Sequence, residues 1–164
     1  FLRRSSISIL EVKIKKKNFN ARFDAKNRIY EYVIVNRQGS LKIDKNRAWH
    51  VKKKIDIDLL KKGGKIFEGI HDFSTFRAAS CSAQSPIKKM ESVKIKKKGD
   101  KIFIVFKSKS FLQNQVRSMV GCLIYLATYK WNMSNFNRSL QLKKRSECAP
   151  PAPAHGLYLK KIIY

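Results

Sequence analysis

Side chains able to grip an anion, stack on a base or move a proton fall into four short segments. The first is Ala21 to Tyr32, ARFDAKNRIYEY. Arg28, Tyr30 and Tyr32 occupy alternate positions there, which a strand turns to one face. Rings on such a face stack unpaired bases while a guanidinium holds phosphate, the combination that single-stranded RNA requires. The same alternation equally suits an ordinary half-buried strand with amphipathic tyrosines. The second segment is Glu68 to Arg77, EGIHDFSTFR. His71 and Asp72 are an acid–base pair by type, but adjacent residues point in different directions. Asp72 is therefore expected to cap a turn by accepting backbone N–H bonds. Phe73 and Phe76 suit a tight turn with both rings in the core, and Arg77 is placed to contact phosphate.

The third segment is Ser110 to Gly121, SFLQNQVRSMVG. From Phe111 to Cys122 the sole charge is Arg117, in a chain that is 29% charged. A helix places Arg117 about 100° from Val116, at the flank of an apolar stripe. A single cation in that setting points at one specific anion or carboxylate. The fourth segment is Ala149 to Leu159, APPAPAHGLYL. Its prolines fix an extended approach and Gly156 permits close backbone passage. By itself it is a connector. His50, His71 and His155 lack the spacing of a nuclease, and no metal-ligand pattern occurs.

The elements that must hold these segments follow from periodicity. Ile7 to Lys15 alternates as a strand, Arg28 to Val35 more strongly so, and Trp49 to Lys53 forms a short one. Asn36 to Ser40 is a turn. Asp56 caps a helix to about Phe67 with Glu68-Gly69 as its exit, although Gly63 and Gly64 each cost about 1 kcal/mol relative to alanine. Met90 to Lys97 and Lys101 to Lys107 flank the turn Lys98-Gly99-Asp100 as a hairpin. Leu112, Val116, Met119, Val120, Leu123, Ile124 and Ala127 recur with helical spacing, giving a helix with one buried stripe. Ser134 caps a further helix to about Arg145, Cys148 to His155 is extended, and Leu157 to Tyr164 is a closing strand. The expected fold is one α+β domain, a mainly antiparallel sheet with helices on one face.

Composition sets the partners. The 164 residues hold 37 Lys and Arg against 11 Asp and Glu, a net charge of +26, with 43% hydrophobic residues. That apolar share excludes wholesale disorder. A polyanion is the first-choice partner, because neutralised phosphates release counterions. Lysines outnumber arginines 27 to 10. A/T-rich codons alone can raise lysine on a solvated surface, so the arginines, with their planar fork, are the more telling. The longest apolar run, Met119 to Ala127, is far short of the roughly 20 residues that span a bilayer. Three widely spaced cysteines argue against a disulfide framework and for a reducing cytoplasm.

In order and spacing the four segments resemble the tRNA pseudouridine synthase A family (the pseudouridine synthase I type). ARFDAKNRIYEY, GIHDFSTFRAASC followed by SPIKKM, SFLQNQVRSMVG and APAHGLYL carry the match, which covers essentially the whole chain. The resemblance implies the C-terminal, ferredoxin-like half of the pseudouridine synthase fold. It also implies isomerisation of uridine to pseudouridine in the tRNA anticodon stem-loop (positions 38 to 40), a homodimer, and no metal or organic cofactor. Tyr30, in the R-x-Y-x-Y strand, corresponds to the tyrosine that packs against the target base. Arg117 corresponds to the arginine that pairs with the catalytic aspartate. Arg22, Arg28 and Arg77 are the candidates for RNA backbone contacts.

One departure is an absence. The family's nucleophile belongs to a G-R-T-D-x-G-V-H-A pattern upstream of the ARF segment, and none occurs here. Asp24, Asp44, Asp56, Asp58, Asp72 and Asp100 all lie in other contexts. With Phe1 in place of an initiator Met, residues 1–164 are expected to be a C-terminal domain, inactive alone, that binds tRNA. A second departure is Ala127-Thr128-Tyr129, where the family often carries glycine. The alternative from another class is a non-catalytic basic RNA-binding module, although the chain lacks the aromatic RNP signature strand of RRM domains.

Overall fold

The computed structural model describes residues 7–164. Its spine is β1 (Asn27–Asn36), whose β-branched and aromatic residues pair on both edges. On one edge β5 (Lys101–Ser108) runs antiparallel along it, from Arg28 opposite Ser108 to Val35 opposite Lys101. The other edge is shared. β6 (Leu157–Ile163) pairs antiparallel with Asn27 to Tyr32, and β2 (Trp49–Val51) pairs parallel with Ile34 to Asn36. β4 (Ile87–Lys98) forms the expected hairpin with β5, closed through Gly99 at φ 57°, and β3 (Gly69–Asp72) adds the far edge. The sheet is mixed in β1–β2 and otherwise antiparallel, so the α+β reading holds.

Ile102, Ile104, Phe106 and Ser108 of β5 turn to one buried face, while the residues between them stay partly exposed. Helices cover the buried face. α1 (Ile57–Ile66) starts at Asp56, whose Oδ1 accepts the N–H groups of Asp58 and Leu59, both at 2.9 Å. Its two glycines have a spatial reason. A Cβ on Gly63 would lie 2.8 Å from Leu126 Cδ2, and one on Gly64 would lie 3.0 Å from Ile95 Cδ1. The helix is wedged between β4 and α2 (Gln115–Ala127) with no room for a methyl group. Phe67, Phe73, Phe76 and Phe136 interlock in the core, with Phe67 5.2 Å from the Phe76 and Phe136 ring centres. Burying each such ring contributes on the order of 1.5–3 kcal/mol.

Four expectations need correction. Ile7 to Lys15 forms no strand: Ile7, Ile9, Leu10, Val12 and Ile14 are exposed. Alternation alone does not make a strand without a pairing partner, and this segment joins none of the sheet's strands. α2 is buried almost all round rather than along one stripe, because the 149–152 segment packs on its second side. The next helix, α3 (Met133–Gln141), is capped by Asn132 and not Ser134. Asn132 and Asn135 cap each other reciprocally, at 2.8 and 3.3 Å, and Lys143 takes a left-handed φ of 54° past the helix end. Finally, Cys148 to His155 is extended only as far as Pro153, and the stretch from Arg145 to Gly156 is bounded by turns. It contains single 3-10 turns at Arg145–Glu147 and Ala154–Gly156.

Candidate active-site cleft

The face that β1 shows to the helices decides where its tyrosines lie. Tyr30 and Tyr32 stand opposite Phe106 and Ile104, both buried, so they belong to the covered side of the sheet and not to an open RNA platform. Tyr32 is wholly buried, and its hydroxyl donates to the Pro153 carbonyl at 2.6 Å. Burial pushes its phenol above the ordinary range, opposed only in part by the Arg117 guanidinium. It is a structural residue.

Tyr30 lies at the margin of that covered side, where the sheet runs out under the start of α2. Its ring meets Phe111 edge-on at 5.0 Å, with an interplanar angle of 85°. The two rings border a cleft of about 230 Å³, completed by Leu112, Asn114, Gln115 and Leu157. None of its lining residues is charged. Gln115 is buried, its Oε1 accepting the Leu112 N–H at 2.8 Å, which fixes the turn into the helix. Asn114 precedes the helix at φ 60°, a left-handed conformation that asparagine tolerates well.

Arg117 stands beside this cleft, braced at two points. Its Nε donates to the Ala152 carbonyl at 2.7 Å and its Nη1 to Asn114 Oδ1 at 3.3 Å. Ala152 N–H in turn donates to the Arg117 carbonyl at 3.0 Å, so α2 and the segment 148–153, a strap laid across it, exchange a pair of bonds. The strap lies close because residue 121 is glycine: a Cβ there would fall 2.1 Å from the Pro150 carbonyl oxygen. Among the described residues no carboxylate forms an ion pair with Arg117. A guanidinium aimed by neutral partners and left without a counter-ion is set to receive an anion.

Of the other three candidate arginines, Arg28 and Arg77 brace the backbone leading to this cleft, a role the sequence did not show. Arg28 donates from Nη1 to the Lys109 carbonyl at 2.5 Å and from Nη2 to the Arg22 carbonyl, tying the 20–24 turn to the strand leading into Phe111. Arg22 itself is exposed, its guanidinium 5.7 Å from the Phe23 ring centre. Arg77 donates to the Cys81 and Ala83 carbonyls at 2.5 and 2.8 Å, shaping a loop whose Cys81 Sγ accepts the Gln113 N–H at 3.4 Å. Arg28 and Arg77 are thus braces as well as cations. Sequence reasoning missed Phe111, Asn114 and the Ala152 carbonyl. Phe111 was visible as an apolar residue just before an uncharged helix start, but a backbone acceptor leaves no sequence signal.

His71 and Asp72 are not an acid–base pair. His71 Nε2 is bonded to the Glu68 carbonyl, and Asp72 Oδ1 accepts from the Ser74 N–H and hydroxyl at 2.9 and 2.6 Å, the expected turn cap. Burial pushes the Asp72 carboxyl up, but the Ser74 bonds and the Lys143 ammonium outweigh it and hold it below the usual range. A larger cleft of about 470 Å³ lies past the other end of α2, lined by Lys53, Lys54, Lys97, Asp56 and Tyr129. Its one acid is engaged as the α1 cap and by the Tyr129 hydroxyl, so it offers no reactive pair. Tyr129 sits at φ 58°, a left-handed conformation that glycine adopts without steric cost, and its hydroxyl donates to the Asp56 carboxylate. Among the described residues no helix is long and apolar enough to cross a membrane.

Fold and site together define an α+β domain with an uncharged aromatic cleft and one poised arginine, on a strongly basic chain. Residues 65–164 match the family profile described as tRNA pseudouridine synthase. The whole chain is 55% identical to tRNA pseudouridine synthase A of Pelagibacter ubique (strain HTCC1062), covering 67% of that protein. Identity is 38% over 161 residues with the enzyme of the same name from Caulobacter sp. (strain K31), covering 98% of this chain and 65% of the relative. With that of Xanthobacter autotrophicus (strain ATCC BAA-1158 / Py2) it is 39% over 163 residues, 99% and 66%. The chain belongs to the tRNA pseudouridine synthase family. It spans about two thirds of the length of these curated relatives.

Proposed function

We propose that this chain is the C-terminal domain of a tRNA pseudouridine synthase and supplies the base cleft and the arginine of its active site. The observation that carries the reading is Arg117, fixed by Ala152 and Asn114 beside the Tyr30–Phe111 cleft with no carboxylate of its own among the described residues. The reaction breaks the C1′–N1 bond of a uridine, turns the detached uracil and rejoins it through C5, with loss of the C5 proton. Such chemistry needs the nucleotide out of its stack and an apolar, aromatic recess to hold the base. Tyr30 provides the recess wall. An aspartate nucleophile from a G-R-T-D pattern, absent from this sequence, would bring its carboxylate to Arg117. The ion pair would orient the carboxylate and keep it ionised. Arg22, Arg28 and Arg77, with the lysine surface, would hold tRNA phosphates in the anticodon stem-loop. A cytoplasmic homodimer is the assembly in which this operates, and no metal or organic cofactor takes part.

A binding-only module is the weaker reading, because it leaves a neutral, aromatic cleft and an aimed arginine without a use. The test is this chain alone with tRNA carrying C5-tritiated uridine. Binding that weakens steeply with salt, as counterion release requires, with no tritium released, is the expected result. Tritium release by the chain alone overturns the assignment of the nucleophile to another segment.

A further inference from the structure

Cys122 on α2 and Cys148 at the start of the strap are not used by the chemistry above, yet their Sγ atoms are 3.6 Å apart. Cys122 is buried and Cys148 is partly exposed. The Ala149 N–H points at Cys122 Sγ at 3.4 Å, and Cys148 Sγ faces the Ser118 carbonyl at 4.0 Å. Arg145 is anchored next to them, donating to Ser118 Oγ at 2.9 Å. The remaining thiol, Cys81, is bonded to Gln113 N–H and has no such partner.

The geometry points to Cys122 and Cys148 as an oxidisable dithiol, a modification site for small hydroperoxides that closes a disulfide between the strap and α2. Cys148 is the peroxide-reactive member, being the more accessible. Its contact with Cys122 and the nearby Arg145 guanidinium hold its thiol below the usual range, whereas that contact and burial push Cys122 up. The Cys148 thiolate attacks the peroxide O–O bond, forming a sulfenic acid and releasing hydroxide or alkoxide. The Cys122 sulfur then displaces the sulfenic oxygen as water, and an S–S bond forms. Net, two thiols lose two hydrogens and one hydroperoxide is reduced to an alcohol, or to water, plus water. The sulfurs need to close by about 1.5 Å to reach disulfide distance. The crosslink ties down the strap at a point five residues along α2 from Arg117 and four residues before Ala152, whose carbonyl holds it.

The folded, reduced chain is treated with excess hydrogen peroxide, unfolded in the presence of an alkylating agent, digested and mapped by mass spectrometry. The expected product is one crosslinked peptide pair carrying Cys122 and Cys148. It is reversed by dithiothreitol, while Cys81 is alkylated in the same sample. The oxidised chain melts at a higher temperature than the reduced one, since a long loop is closed. Cys122→Ala removes the resolving thiol, so Cys148 is then trapped by dimedone or advances to the sulfinic acid. Three results overturn the proposal, and all are read on the unsubstituted chain. They are Cys148 sulfinic acid beside a free Cys122, a disulfide that uses Cys81 or a second chain, and a pair that peroxide leaves reduced.

Discussion

Residue by residue, Asp56, Glu68 and Asp72 are engaged in structure, whereas among the described residues Arg117 is held by neutral groups and pairs with no carboxylate. Asp56 is held below the usual range by the Tyr129 hydroxyl and the α1 backbone, and Glu68 by Lys65 and the Val93 N–H. Asp72 follows through Ser74. Each folded value lies below the unfolded one, so folding favours the ionised form. The stability they contribute is complete above the unfolded values of about 4 and is lost as pH falls through the folded ones. The urea midpoint is therefore expected to hold from neutrality to about pH 5 and to fall below it. A midpoint unchanged to pH 3 contradicts the assignment. The sequence singled out Arg117 as the sole charge of its segment, and among the described residues it pairs with no carboxylate. Strand alternation alone put Tyr30 and Tyr32 on one face and only the family resemblance chose between them; the packing of residues 149–153 is what buries Tyr32.

At the scale of elements, α2 and the strap act as one unit. The helix presents Arg117, the strap aims it, and Gly121 allows the two backbones to touch. Gly121→Ala places a methyl group against a carbonyl of the backbone. Overpacking of this kind costs about 1–3 kcal/mol, measurable as a lower urea midpoint. The same substitution shifts the Ala152 carbonyl away from Arg117. An unchanged midpoint would mean that the strap is loosely held. The helices and the β4–β5 hairpin were legible because their periods and caps are local signals. The Ile7–Lys15 strand was misread because alternation does not reveal whether a segment finds a pairing partner, and the Ser134 cap because Asn132 makes a reciprocal one. α2 was seen as one-sided because the strap covers its second face from 30 residues away.

For the whole molecule, the +26 charge and the neutral cleft divide the work. In the proposed function, lysines would attract a polyanion from a distance without selecting a base, while the cleft, with no charged residue in its lining, would take one flat group. The sheet supports this arrangement. β1 is held on both edges, so Tyr30 sits on a rigid strand, and the hairpin brings the chain back to Phe111 opposite it. In the proposed function Arg117 serves the chemical step and not general tRNA affinity. The direct measurement is Arg117→Ala in the complete synthase containing this chain, with single-turnover tritium release and tRNA affinity read on the same preparation. Turnover is expected to fall on the order of a hundredfold or more, as when one preorganised charge-stabilising donor is removed, while affinity stays close to that of the unsubstituted enzyme. Equal, modest losses in both would make Arg117 an ordinary phosphate contact and contradict the account.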